Sequence, residues 1–265
     1  MNKTFSREFV FQLFALLIAV ILVHGIYVAV VWPNAEAVLV EQRAMMQQDP
    51  EYAAEPSLYV IVKDYEQESC FVLMLWCLAI IGYKGWATVR ERRLFELALV
   101  PIAEGVRVLP EDTREYARQL QTLGDVERSM LLPRALMNAL VRFGATRNVQ
   151  DVAAATHQLA ASEAERMESE LSMVRYILWA IPAIGFIGTV RGIGLALGMA
   201  HRAVEGDVSG VTENLGTAFN STLIALLISI PLMFLVHQLQ LMQERLVFDA
   251  ETYTDDHLIR HLHTH

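Results

Sequence analysis

Two apolar segments of the chain, residues 176–200 and 215–239, carry small and hydroxyl residues at helical spacing. In each segment these residues recur after four, three and four positions, which places them on one face of a helix. They are Gly185, Thr189, Gly192 and Ala196 in the first segment and Ala218, Thr222, Ala225 and Ser229 in the second. A hydroxyl donates and accepts hydrogen bonds but does not titrate near neutral pH. Such a stripe can therefore coordinate an ion or a water molecule without itself carrying a proton.

Close packing is a second explanation of the same residues. Helices in a membrane associate through small residues that let the backbones approach, and the pairs Gly188/Gly192 and Gly194/Gly198 have the GxxxG spacing. A close-packed seam and a narrow polar pathway are both consistent with the pattern.

Four apolar segments are candidates to cross a membrane as helices: residues 9–32, 70–86, 176–200 and 215–239. A helix needs about 20 apolar residues to span a hydrocarbon core of about 30 Å. The 17-residue segment 70–86 is short, and Lys84 can lengthen it by extending its ammonium group to the interface. With 54% hydrophobic residues, the sequence predicts an all-α membrane protein with four transmembrane helices and a helical cytoplasmic domain.

Lysine and arginine are distributed unevenly between the segments that connect these helices. Residues 33–69 hold eight acidic and two basic residues, whereas residues 84–175 hold 13 lysines and arginines. Because basic segments stay on the cytoplasmic side, we expect the cytoplasmic segments to be 1–8, 87–175 and 240–265. The segments expected outside are the acidic loop 33–69 and the short loop 201–214. The net charge of −9 argues against a nucleic-acid-binding protein.

The cytoplasmic segment 87–175 is expected to be helical. Apolar periodicity predicts a helix around 90–108, and Pro110 starts a second one. A third helix is expected at 131–143, with Gly144 at its end.

Asn148 is expected to cap a further helix whose first turn contains Asp151, where a carboxylate is favourable. From there nothing but Pro182 interrupts a continuous helix to Ala200, and we expect a kink at that proline. The charged run 163–170 is predicted to be a solvated face.

Two motifs in the stripes resemble those of a known family. The run from Pro182 to Gly192, PAIGFIGTVRG, is similar to the P-x-x-G-x-x-G-T-V-x-G signature of the MotA/TolQ/ExbB proton-channel family. The segment from Ala218 to Thr222, followed by Ala225 and Ile230-Pro231, resembles the motif on that family's next helix. The layout of four spans with both ends inside is similar to the MotA branch.

The resemblance implies a ring subunit of an ion-driven, stator-type molecular motor in a bacterial inner membrane. Five copies of the chain would surround two copies of a single-span partner of the MotB, TolR or ExbD type. The membrane helix of that partner carries an aspartate. The chain itself has no Asp or Glu inside its four predicted spans. The partner would therefore supply the carboxylate that binds the transported ion. A proton is favoured over a sodium ion as that ion.

The resemblance places Thr189 and Thr222 close to the partner's aspartate. The predicted ion-pathway residues are Thr189, Thr222, Ser221, Asn220 and Ser229. The residues predicted to allow close helix packing are Gly185, Gly188, Gly192, Ala218 and Ala225. Pro182 and Pro231 are expected to kink their helices. The chain departs from the ExbB and TolQ branches at Thr217, where those carry a glutamate, and the nearest acid is Glu213.

Arg191 is unusual because it lies well inside the third predicted span, two residues from Thr189. It either extends to the interface or pairs with a carboxylate, or it acts as a gate or an electrostatic tuner of the partner's aspartate, whose ionised form a cation favours. His24 on the first span is expected to be a packed polar residue rather than a proton relay. The C-terminal histidines could bind a metal, but a polar, flexible end without a metal is the expected state.

No pattern typical of an enzyme is found: there is no P-loop, zinc-ligand spacing or nucleophile elbow. We therefore predict that the chain is not an enzyme and uses no cofactor, apart from the H⁺ or Na⁺ that it would transport. Cys70 and Cys77 lie about two helical turns apart, too far to form a disulfide. Two functions remain open: an ion-conducting ring subunit, or a non-conducting membrane scaffold or signalling subunit of the same fold.

Overall fold

A computed structural model describes residues 2–48, 57–103 and 105–264. These residues are mostly helical, and among them there is no strand, only an isolated parallel bridge between Val108 and Leu262. The helices are α1 (Asn2–Ile26), α2 (Trp32–Gln48), α3 (Leu58–Ile61), α4 (Tyr65–Arg92), α5 (Thr113–Gln121), α6 (Asp125–Arg128), α7 (Leu131–Thr146), α8 (Val149–Glu170), α9 (Ser172–Gly198), α10 (Ala200–Val204) and α11 (Ser209–His257). The predicted all-α fold is confirmed.

Four stretches of helix are long and apolar enough to cross a membrane, and the chain is a multi-pass membrane protein. They are Glu8–Met46, Tyr65–Glu96, Val149–Gly198 and Ser209–His261. Each begins or ends beyond the apolar run that predicts it. A π-helical turn, Tyr27–Val31, joins α1 to α2, so residues 33–48 of the expected acidic loop are helical. Residues 49–56 of that loop lie outside the described part of the chain.

The chain divides into two compact units. The first contains the chain up to Ile81 together with Met173–Val236, and the second contains Gly82–Ser172 together with the chain from His237 onward. The second unit has a hydrophobic core around α7, in which Leu136, Leu140 and Phe143 are fully buried.

The predicted helix at 90–108 is wrong beyond its first residues. Helix α4 ends at Arg92, a 3₁₀ turn follows at Arg93–Glu96, and the described residues from there to Asp112 contain no α-helix. The physical reason is that Pro101 and Pro110 disfavour helical backbone in the residues that precede them. The helix predicted after Pro110 is present as α5.

Helix α7 runs through Gly144 and ends at Thr146, and the residue that caps it, Arg147, adopts a left-handed conformation with φ 52°. Gly144 therefore does not end the helix as predicted. A methyl group on Gly144 would lie 2.9 Å from Thr113 Oγ1, so the missing side chain lets α5 and α7 approach each other. The predicted cap of the next helix is confirmed, since the Asn148 side chain accepts a hydrogen bond of 2.9 Å from Gln150 N.

The expected continuous helix from Asn148 to Ala200 is interrupted at Leu171, between α8 and α9. The expected solvated face of 163–170 is only partly present. Glu163 is buried and pairs with Arg134 at 3.3 Å and with Arg166. The reason is periodicity: Glu163 shares the inward face of α8 with Ala160 and Met167, both buried.

The environment of the Lys84 side chain also differs from the predicted one. Instead of extending to an interface, it is 5% exposed and forms a salt bridge of 2.5 Å with Glu170. Both residues belong to the second unit.

The C-terminal segment is not a polar, flexible end. Helix α11 continues past residue 239 to His257, and Leu258, Ile259 and Leu262 are buried in the core of the second unit. Val108 N donates to His261 O at 2.8 Å, and His263 N donates to Val108 O at 3.1 Å. The apolar residues between the histidines are the reason, because they supply side chains to the core. No group of His, Cys, Asp and Glu able to hold a metal occurs among the described residues.

Candidate functional site

Helices α9 and α11 form a close seam in the first unit, and glycines on α9 make it possible. A methyl group on Gly192 would lie 2.7 Å from Ala218 Cβ, and one on Gly188 would lie 2.5 Å from Ser221 Oγ. At Gly185 an added methyl group would collide with Ala225 Cβ. The two backbones therefore approach as closely as glycine allows. Gly194 and Gly198, the second GxxxG pair, have no atom within 4 Å of an added methyl group.

Thr189 and Thr222 meet across this seam. Thr189 Oγ1 lies 2.9 Å from Ala218 O and 3.3 Å from Gly185 O, and Thr222 Oγ1 lies 3.1 Å from Gly185 O. The two hydroxyls also form a hydrogen bond with each other. Both side chains are half-buried.

The hydroxyl pair has more acceptors than hydrogens. Two O–H groups share two carbonyl oxygens and each other's oxygens, so any arrangement leaves lone pairs on the hydroxyl oxygens unused. Rotation of either hydroxyl moves its hydrogen between a carbonyl and the neighbouring threonine. The pair can thus donate to a carboxylate, accept from a water molecule or coordinate a small cation.

The other predicted pathway residues are arranged differently. Ser221 donates to Thr217 O at 2.9 Å and Ser229 donates to Ala225 O at 2.7 Å, each to its own helix. Ser221 lies against Gly188, beside the threonine pair, whereas Ser229 lies about two turns away along α11. Asn220 lines a separate cavity of about 540 Å³ between α2 and α11. Pro182 and Pro231 both lie inside unbroken helices, α9 and α11.

Arg191 is paired with carboxylates of the same chain. Its Nε lies 2.6 Å from Glu66 Oε1 and its Nη2 lies 2.8 Å from Glu66 Oε2, a two-pronged geometry typical of strong arginine–carboxylate pairs. Asp64 Oδ1 lies 3.6 Å from Arg191 Nη2. Burial raises the pKa of the Asp64 carboxyl above its usual value, although the positive charges of Lys63 and Arg191 act to lower it.

Residues directly before the second apolar run, which the sequence predicts to lie in an outer loop, reach this site. Helix α4 starts at Tyr65, so Glu66 and Glu68 occupy its first turn. Glu68 Oε1 lies 2.8 Å from His24 Nδ1, so His24 pairs with a carboxylate although its own side chain is half exposed. Acidic residues directly ahead of an apolar run are a known sign of a helix start, and this signal was present in the sequence.

A third ionic group includes Glu213, the acid nearest to Thr217. Its carboxylate lies 3.5 Å from Arg43 Nη2 and 3.7 Å from Lys63 Nζ. All three side chains line the same cavity as Asn220, apart from the threonine pair.

Comparison with known proteins gives one family. Residues 128–252 match the model of the MotA/TolQ/ExbB proton channel family. The match contains α9, most of α11 and the threonine seam, and it leaves out the first two apolar helices. Searches of curated proteins and of solved structures found no match.

Proposed function

Residues 128–252 match the model of the MotA/TolQ/ExbB proton channel family, and from that match we propose that the chain is the ion-conducting ring subunit of a membrane motor. In this proposal it works with a single-span partner whose membrane helix carries an aspartate, and together they convert ion flow, protons rather than sodium, into mechanical work. The observation that carries the proposal is the Thr189–Thr222 hydroxyl pair held across a glycine-lined seam.

The partner is needed because the seam lacks a titratable group. No Asp or Glu occurs in 176–200 or 215–239, and a threonine hydroxyl does not take up a proton at neutral pH. A carboxylate placed beside the pair would accept hydrogen bonds from both hydroxyls when ionised. Each ion that crosses releases about 2.3 kcal/mol per 100 mV of membrane potential, enough for one modest conformational step.

The proposed topology follows from the charge distribution. With 13 lysines and arginines in 84–175, the second unit lies in the cytoplasm together with both chain ends, and the 201–214 connection lies outside. Ions would then enter at the Gly198 end of α9, pass Thr189, and leave to the cytoplasm. The membrane in this proposal is the inner membrane of a bacterium.

Exposed apolar side chains support assembly into a ring. On α9, Phe186, Ile187 and Leu197 are each more than half exposed, and α11 carries a similar set that includes Phe219 and Phe234. Such surfaces need lipid or another helix against them. We propose five copies of the chain around two partner helices.

Native mass spectrometry of the detergent-purified complex tests the architecture. The chain is expressed with a candidate partner, a single-span protein of the MotB, TolR or ExbD type whose membrane helix carries an aspartate, and separately without it. A ring of five chains that holds two partner helices is the expected result. A monomer, a dimer, or a ring that holds no partner would overturn the proposal.

A monomer, a dimer or a ring without a partner would favour the second candidate function, a non-conducting scaffold or signalling subunit. One observation is consistent with it: the small residues of the seam are in contact with each other within a single chain, as packing alone requires.

A further inference from the structure

A positive charge close to a cation pathway needs a counter-charge, and Arg191 lies two residues from Thr189. Successive helix positions differ by about 100°, so Arg191 points away from the seam. Its side chain is directed to the first turn of α4, where Glu66 contacts it with both carboxylate oxygens. The carboxylate that neutralises Arg191 therefore comes from the same chain.

Glu66 reaches the seam itself. A methyl group on Gly188 would lie 3.3 Å from Glu66 Cγ and 2.5 Å from Ser221 Oγ. Glu66 and Ser221 thus converge on the space that Gly188 leaves open, and Gly188 and Ser221 directly precede Thr189 and Thr222 in the chain. The Glu66 side chain is only 12% exposed, so solvent screens its charge weakly.

The group formed by Arg191, Glu66 and Asp64 has more acidic than basic members. Arg191 contributes one positive charge and, when ionised, Glu66 and Asp64 contribute one negative charge each, so these three side chains together have a net charge of about −1. Lys63 lies 3.7 Å from Glu213, and its positive charge also acts on Asp64. Asp64 Oδ2 is buried and has no hydrogen-bond partner among the described residues. The negative charge on this oxygen is therefore not neutralised by a hydrogen-bond donor of the described residues.

We propose that Glu66 is a selectivity residue of the ion pathway. It cancels the repulsion that Arg191 would exert on a cation at the threonine pair, and with Asp64 it makes the approach to the seam attractive to cations and repulsive to anions. The proposal rests on the proposed function, because it concerns the same pathway. The competing explanation is a purely structural tie between α4 and α9.

Charge compensation separates these explanations. Three variants are compared with the unmodified chain: Glu66→Gln, Arg191→Gln, and Glu66→Gln/Arg191→Gln. Glu68→Gln is the matched control, since Glu68 lies in the same turn, is equally buried and pairs with His24 instead. The measurement is the initial rate of proton uptake under an imposed potential, in vesicles that contain the chain and the single-span protein with which it co-purifies.

Glu66→Gln is expected to lower proton uptake about tenfold at low ionic strength, because it leaves Arg191 and Asp64 with a net charge near zero beside the pathway. The double variant restores the net charge of −1 and is expected to recover to within about twofold of the unmodified rate. Arg191→Gln is expected not to lower uptake, and Glu68→Gln is expected to lower it less than Glu66→Gln.

A double variant as defective as Glu66→Gln, or an Arg191→Gln variant with the same defect, would overturn the charge role and leave the structural tie. Native mass spectrometry of each variant shows whether the ring still forms, and Arg191→Gln keeps the test decisive if Glu66→Gln does not assemble. A different result would contradict the proposed function itself. In that case the unmodified chain itself shows no partner-dependent proton uptake.

Discussion

Thr189 and Thr222 act as a pair because each hydroxyl lies within hydrogen-bonding distance of a carbonyl oxygen of the opposite helix. This cross-helix contact distinguishes them from Ser221 and Ser229, whose hydroxyls bond to their own helix. Of these four residues, the two threonines are the ones whose hydroxyls bond across the seam.

Thr189→Val and Thr222→Val keep the shape of the side chain and remove the hydroxyl. We expect the ring to assemble, with a stability loss of about 1 kcal/mol for the missing hydrogen bond, while proton uptake in partner-containing vesicles falls at least about tenfold. Thr212→Val is the control, because Thr212 is an exposed threonine of α11 whose hydroxyl bonds to Val208 O and Ser209 O. Loss of the ring in the two seam variants would instead assign both threonines to packing.

Glu163 is the clearest buried charge of the second unit. Its carboxylate, 4% exposed, accepts from Arg134 and Arg166. We expect Glu163→Gln to destabilise the protein by about 1–2 kcal/mol, because charge-assisted hydrogen bonds are lost in a site that excludes water. Thermal unfolding in detergent measures the effect. Glu165→Gln, two positions away on the exposed face of α8, should change the midpoint little, and equal shifts would contradict the burial argument.

At the scale of helices, the seam between α9 and α11 depends on where glycine lies rather than on how much glycine is present. Gly188 and Gly194 occur in the same helix and in the same kind of GxxxG pair, but only Gly188 faces another helix. The two positions therefore form a matched pair for an experiment.

Gly188→Ala is expected to push Ser221 away and to loosen the seam at a cost of about 1–3 kcal/mol, as for other overpacked sites. Gly194→Ala adds a methyl group to open space and improves helix propensity, so its stability should be equal or higher. The unfolding midpoints of the two variants in detergent give the comparison. If Gly188→Ala were tolerated as well as Gly194→Ala, the close approach of the helices would be disproved.

Helix ends follow local chemistry where a local signal exists. Asn148 caps α8 through its own side chain, and the sequence is sufficient to predict it. The end of α7 at Thr146 is different, because Gly144 fits the pattern of a helix stop but lies inside the helix against Thr113. A glycine in a helix has both uses, and only the neighbouring element distinguishes them.

At the scale of the whole molecule, the C-terminal segment completes the core of the second unit. Leu258 is fully buried there, and the pairing of Val108 with Leu262 holds the segment in place. The last described residues are therefore part of the folded unit and not an appendage to it.

Leu258→Ala is expected to destabilise the second unit by about 2–5 kcal/mol, since it removes buried methyl groups and leaves a cavity. Leu97→Ala, at a leucine of the same unit that is 51% exposed, should cost much less. Limited proteolysis over a temperature series measures both, with cleavage in the second unit as the signal. Equal protection of the two variants would show that the C-terminal segment does not support the core.

The sequence by itself determined the four apolar helices, the two motif helices with their threonines, the membrane-protein class and the Asn148 cap. Each of these depends on residues within a few helical turns of one another, so periodicity and composition are enough. Only the tertiary structure decided which charges are partners. Arg191 and Glu66 are 125 positions apart, Lys84 and Glu170 are 86 positions apart, and Val108 pairs with the C-terminal segment. Local patterns contain no information about such distances, because the approach of distant helices is a property of the packed chain.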